Sequence, residues 1–168
     1  PTLMQADMGP GSPTATQLLF DAGVAPGPTP ATPPAVATNS RHALQSSDKV
    51  AAPYSVLFAL PASQIAFAAG TNGTYSGSLE FDVAAYAPGG KLVNLTSQTM
   101  KLPLTAEEYL QFIKTPFQFF QQFDLPPGQF TLRIGILDGV SNKVGTLEVP
   151  LTVPDSAANH TTPPASNP

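Results

Sequence analysis

The stretch Thr74–Ala87, TYSGSLEFDVAAYA, decides how the rest of the chain is read. Tyr75, Gly77, Leu79, Phe81, Val83 and Ala85 fall on one side of an extended backbone, and Ser76, Ser78, Glu80 and Asp82 on the other. A period of two with one apolar side is the pattern of a strand that buries one face and wets the other. Strands of two-sheet sandwiches are built this way. Pro88–Gly90 turns the chain, and KLVNLTSQTMKLPL (91–104) returns as the second arm of a long hairpin.

The same pattern recurs on both sides. Downstream, PFQFFQQFDL (116–125) carries Phe117, Phe119 and Phe123 on one side and Phe120 on the other. In DLPPGQFTLRIGILD (124–138) a Pro-Pro-Gly turn leads into a strand with Phe130, Leu132, Ile134 and Ile136 on one side and Thr131 and Arg133 on the other. The loop DGVSNKVG (138–145) precedes a last strand, TLEVPLTV (146–153). Upstream, YSVLFAL (54–60) reads as a short apolar strand and QIAF (64–67) as a brief one, followed by a turn at Asn72-Gly73. One segment is helical: TAEEYLQFIKTP (105–116). Thr105 and Glu108 make a capping box, Tyr109, Phe112 and Ile113 share a face, and Pro116 stops it.

These elements predict an all-β fold: an immunoglobulin-like, two-sheet antiparallel β-sandwich with one short crossover helix near 105–114. A closed barrel is the alternative. Phe81 and Leu132 are expected on facing sheets. By segment, 1–15 is read as irregular and 16–25 as an added edge strand. Residues 26–52 read as a Pro-rich linker, 53–153 as the sandwich, and 154–168 as a Pro-rich tail. In the edge strand, Leu18, Phe20, Ala22 and Val24 lie on one side. Such a strand needs a sheet edge to pair with, because its backbone N–H and C=O groups need partners: the expected edge is that of its own sandwich, and the alternative is strand exchange with a neighbouring subunit. The linker opens with five prolines between Pro26 and Pro34, which forbid helix and sheet interior alike.

Composition narrows the function classes. Of 168 residues 42% are apolar and 11% charged, with 20 prolines, 13 glycines and a net charge of −4. No Lys/Arg cluster is present, so neither nucleic acid nor an anionic membrane surface is an expected partner. No apolar run reaches the length of a membrane span. With no cysteine there is no disulfide or thiolate chemistry. Low charge with many Ser, Thr, Gln and Asn favours an extracytoplasmic location, and a chain opening at Pro1 reads as a processed product or fragment.

No catalytic constellation emerges. His42 and His160, the only histidines, fall in the linker and the tail, so a nucleophile has no structured base. Glu80 and Asp82 read as a solvated pair, and Glu107 and Glu108 as helix-capping acids. Asp138, Ser141 and Asn142 lack the acidic density of a Ca²⁺ loop, and Asp138 reads as a turn residue. No cofactor or metal is expected, and no enzymatic activity. Two residues stand out as a possible interaction surface. Phe120 points away from its sister phenylalanines. Arg133 lies on the polar side of an apolar strand, where Glu148 is a candidate cross-strand partner.

ATQLLFDAGVAP (15–26), GTYSGSLEFDVAAYAPGGKLVN (73–94), SQTMKLPLTAEEY (97–109), DLPPGQFTLRIGILD and VGTLEVPL (144–151) occur here in an order and spacing that carry a resemblance. The chain resembles the C-terminal region of the von Willebrand factor A-related proteins of Acidobacteria. The resemblance implies an exported protein with an A domain upstream, and it brings no enzymatic activity to carry over. The A domain's Asp-x-Ser-x-Ser metal loop is absent from this sequence. The reading that results is a non-catalytic, extracytoplasmic β-sandwich module for structural or protein–protein interaction at the bacterial cell envelope. A carbohydrate- or ligand-binding sandwich is the alternative.

Overall fold

The computed structural model describes residues 3–28, 39–44 and 50–155, with the backbone alone at Leu3 and along 39–44. The strands are β1 (Asp21–Pro26), β2 (Asn39–Leu44), β3 (Ala52–Pro61), β4 (Ala68–Ala69), β5 (Tyr75–Tyr86), β6 (Leu92–Leu104), β7 (Pro116–Leu125), β8 (Gly128–Asp138) and β9 (Lys143–Val153). The helices are α1 (Leu3–Asp7) and α2 (Ala106–Phe112). The smaller sheet has the order β1-β3-β7. The larger runs β2-β6-β5-β8-β9, with β4 paired to the start of β5. All pairings are antiparallel. The chain is a two-sheet β-sandwich with a short helix between β6 and β7. Apart from β2 and β4, the strands divide between the sheets as in immunoglobulin-like domains.

The sheets meet through phenylalanines. Phe81 on β5 stacks on Phe119 of β7 at 4.4 Å and meets Phe58 of β3 edge-on at 5.0 Å. Leu79, Phe81, Val83, Leu132, Ile134 and Ile136 are fully buried on the same inner face. Phe81 and Leu132 therefore do not face each other from opposite sheets. They lie on β5 and β8, adjacent strands of the larger sheet. The Pro126-Pro127 corner carries the chain from the smaller sheet to the larger, which puts Leu132 on the same sheet as Phe81, opposite Ala85, and leaves Phe58 and Phe119 as the residues facing Phe81.

The crossover helix forms as expected. The Thr105 hydroxyl accepts from Glu108 N at 3.3 Å, and the Glu108 carboxylate accepts from Thr105 N at 2.8 Å. Those bonds hold the Glu108 carboxyl below the ordinary value. The segment QIAF differs from its reading as a strand. Residues 62–64 form one turn of 3₁₀-helix, Ile65 enters the core, and Phe67 packs edge-on against Tyr109 and Phe112.

Three segments depart from the linear reading. Residues 1–15 are not wholly irregular: α1 and the chain after it lie on the outer face of the larger sheet. Met4 and Met8, one helical turn apart, are buried there with Ala84 and Val144. Gly135 leaves the room, since a side chain on it would meet the Met8 sulfur at 2.8 Å. Residues 16–25 do pair within their own domain, but with both sheets in turn. Thr16 bridges Gly145 at the start of β9, and Gln17 N and Leu18 N donate to Val144 O at 3.1 and 3.2 Å. The chain then crosses to the smaller sheet, where β1 pairs with β3 and Phe20 stacks on Phe58. The crossing requires glycine at 145, because a Cβ there would collide with the Leu18 carbonyl. Finally, 26–52 is not all linker: β2 pairs with β6 from Asn39↔Thr99 to Leu44↔Asn94. NSRHAL has little intrinsic strand character, and the long unpaired edge of β6 overrides that. Residues 29–38, 45–49 and 156–168 lie outside the described residues.

Candidate functional site

Arg133 is not a surface residue. Its side chain is 1% exposed, under the N-terminal segment. Nη1 donates to Glu148 Oε1 at 2.7 Å, Nε to Asp7 O at 2.6 Å and Nη2 to Pro13 O at 2.6 Å. The expected cross-strand pair with Glu148 forms. The expected interaction role does not fit, because three acceptors occupy the guanidinium and two of them are backbone carbonyls of the covering chain. Tyr86 reinforces the cover by donating its hydroxyl to Met8 O at 2.7 Å.

Glu80 and Asp82 also separate. Glu80 is half-buried, whereas Asp82 is 5% exposed. Asp82 stands opposite Gly135 on β8, beside the methionine cluster. Burial pushes its carboxyl up from 3.8 to about 6; a hydrogen bond with Ser97 opposes the rise and Glu80 adds to it. Its Oδ1 has no hydrogen-bond partner. Asp138 behaves as the turn residue expected, fully buried. Oδ1 accepts from Val140 N and Ser141 N at 2.9 and 3.2 Å, and Oδ2 from Ala66 N at 2.7 Å. That carboxylate is spent on backbone. His42 falls within β2 rather than a linker, and His160 lies outside the described residues. Among the described residues no three His, Cys, Asp or Glu side chains gather.

Phe120 stays on the outer face of the smaller sheet, half-buried, in the cross-strand row Gly23↔Leu57↔Phe120. Leu57 is half-buried too, and Gln118 and Gln122, two residues to either side of Phe120, are exposed. Gly23 offers no side chain, so the Leu57–Phe120 pair is bordered by open space on its β1 side. This is an apolar patch on an otherwise small or polar face.

A second site went unnoticed in the sequence. Asn94, Thr96 and Gln121 are 3%, 2% and 2% exposed, at inward positions of β6 and β7. Asn94 Nδ2 donates to Asp124 O at 2.7 Å and Gln121 Nε2 to Thr96 O at 3.1 Å, so side-chain amides stitch the two sheets here. Asn94 Oδ1, Thr96 Oγ1 and Gln121 Oε1 have no partner. The signal was available: Gln121 sits between Phe119 and Phe123, and Asn94 and Thr96 precede Met100 and Leu102, all at positions where alternation demands apolar side chains.

No protein-family model matches the chain, and no curated protein matches it. Two solved structures resemble it in outline. A Bordetella pertussis protein assigned as ApaA is 10% identical over 80% of this chain and 95% of its own, with a TM-score of 0.33. A second structural-genomics target is 13% identical over 84% of this chain and 90% of its own, also at 0.33. Nothing about the site is carried over from either.

Proposed function

We propose that this domain is a non-catalytic, extracytoplasmic β-sandwich module that acts in structural or protein–protein interaction at the bacterial cell envelope. One observation carries this reading: the Leu57–Phe120 pair on the outer face of the smaller sheet. The titratable groups do not compete with it, since Arg133, Glu148 and Asp138 are engaged in holding the fold and Asp82 is buried with a Ser97 hydrogen bond. A paired apolar patch with a polar surround is the form of a protein contact. The resemblance to von Willebrand factor A-related proteins supports the same reading by implying an exported chain with an adhesive neighbour domain.

The test is Phe120→Ala with Leu57→Ser. Half-buried on an outer face, the two changes should leave the fold intact, and binding to envelope proteins should fall by at least tenfold. Unchanged binding removes the patch from the function. The second reading, carbohydrate binding, rests on Phe120 as a flat platform flanked by the amides of Gln118 and Gln122. Retention on a polysaccharide matrix that disappears with Phe120→Ala selects it.

A further inference from the structure

The two sheets differ in width. Phe58 and Phe119 place β3 and β7 over β5. The Asn94–Asp124 bond places β7 against β6. β2 lies one strand further out, paired to the far side of β6. No described strand of the smaller sheet lies opposite it, and among the described residues β7 has a main-chain partner, β3, on one side only.

The free side of β7 can be read from its bonds. Pro53 is paired in register with Asp124, yet Pro53 O accepts from Gly27 N at 2.9 Å, and Asp124 O accepts from the Asn94 amide. Both carbonyls point away from the β3–β7 boundary. In an antiparallel pair the backbone groups alternate, so Gln118, Phe120 and Gln122 also aim N–H and C=O at the free edge. At the other end of the ladder Pro61 faces Pro116, two residues with no N–H to give, as that register requires. The strand carries no charge before Asp124, no bulge and no interior proline, the usual guards of an edge. Next to this edge lie the three unpartnered oxygens of Asn94, Thr96 and Gln121, all in side chains more than nine-tenths buried. Two of them are amide carbonyls that can only accept.

We propose that β7 is an acceptor edge for an extended segment of a partner protein, which adds as the fourth strand of the smaller sheet beneath the overhang of β2. This deepens the interaction-module reading and rests on it. The segment's chemistry follows from the slot. Its backbone exchanges hydrogen bonds with Gln118, Phe120 and Gln122. Its inward side chains are hydroxyl or amide donors (Ser, Thr, Asn, Gln), which satisfy the oxygens of Asn94 and Gln121. Its outward side chains are apolar, extending the Leu57–Phe120 row. A second copy of this domain fits less well: antiparallel β7–β7 pairing about a two-fold axis puts both larger sheets on one side, where each β2 takes the space the other needs.

The test uses the whole chain and a synthetic eight-residue peptide alternating Thr and Val, with its fully N-methylated form as control. The peptide should slow amide exchange at Gln118, Phe120 and Gln122 by tenfold or more, and the methylated form should not. Gln118→Pro with Gln122→Pro removes two edge-facing N–H groups without touching the β3 ladder, so the fold should hold and the peptide effect should vanish. The proposal falls if the peptide leaves those three amides unchanged, or if the proline variant binds it equally well. It falls also if the amides slow with protein concentration alone as the mass doubles, which makes a second copy the occupant. A partner captured equally by the proline variant but lost with Phe120→Ala overturns edge docking and spares the interaction reading.

Discussion

Along β5 the inner face carries Leu79, Phe81, Val83 and Ala85, and the outer face Glu80, Asp82, Ala84 and Tyr86. All four inner residues are buried, and so are Asp82 and Ala84 on the outside. The inner face is covered by another sheet, with one ring stacked at 4.4 Å and another edge-on at 5.0 Å, and no polar side chain on that stretch of strand. The outer face is covered by one short helix and a loop, held by two methionines, a tyrosine hydroxyl and the guanidinium of Arg133. A sheet can cover a face by shape alone. A strap of about a dozen residues cannot bury enough apolar area for that, so it is pinned by directed bonds to a charge.

The comparison predicts different responses to mutation. Phe81→Ala, on the inner face, should cost about 3–5 kcal/mol in chemical denaturation, since the cavity lies between two sheets that cannot close on it. A loss under about 1 kcal/mol would mean that the ring stack is not what joins the sheets. Arg133→Met, on the outer face, should cost about 2–4 kcal/mol. It removes an ion pair and strands the carbonyls of Asp7 and Pro13, while Glu148 is exposed enough to rehydrate. Faster amide exchange across residues 4–18, with the inner strands unchanged, would confirm that the damage is confined to the strap.

Asp82 sharpens the contrast through pH. Its folded value near 6 lies above the ordinary 3.8, so the folded state binds the proton more tightly than the unfolded chain. The stability it contributes is fully present below 3.8 and is lost as pH rises through about 6. Asp82→Asn should therefore stabilise the domain by about 2 kcal/mol at pH 7–8, and the advantage should disappear by pH 4. A variant that destabilises at pH 7 would show that the charge is compensated. The smallest effect belongs to neither face: Thr105→Ala removes the cap of α2 and should cost about 1 kcal/mol at neutral pH.

Alternation made the inner face legible. Leu79, Phe81, Val83, Phe119, Leu132, Ile134 and Ile136 are inward by sequence and buried in fact. The cap of α2 was legible for a similar reason: its signal is local. The outer face was not, because the residues that cover Asp82 and Arg133 lie at the start of the sequence, 120 and 126 positions from Arg133, in a stretch rich in Gly, Pro, Ser and Thr. Its traces were the Met4–Met8 spacing and the small residues Ala84 and Gly135 where polar ones were expected. β2 was hidden by composition, since a polar hexapeptide becomes a strand there only because β6 is long enough to receive it. Of the two residues singled out for interaction, Phe120 kept an outward position that alternation predicts. Arg133 had been read from the same alternation, which sees the strand and not what lies on top of it.

The crossing at Gly145 also sets an order of events. Ala15 N bonds to the Thr146 hydroxyl across 131 positions, and Arg133 reaches Asp7 and Pro13 across 126 and 120. A ribosome delivers the first of these residues long before their partners exist, so this segment waits until the strands β8 and β9 are made. Contacts this distant in sequence close late and slowly. The nascent domain is thus held open at one seam until its last hairpin emerges.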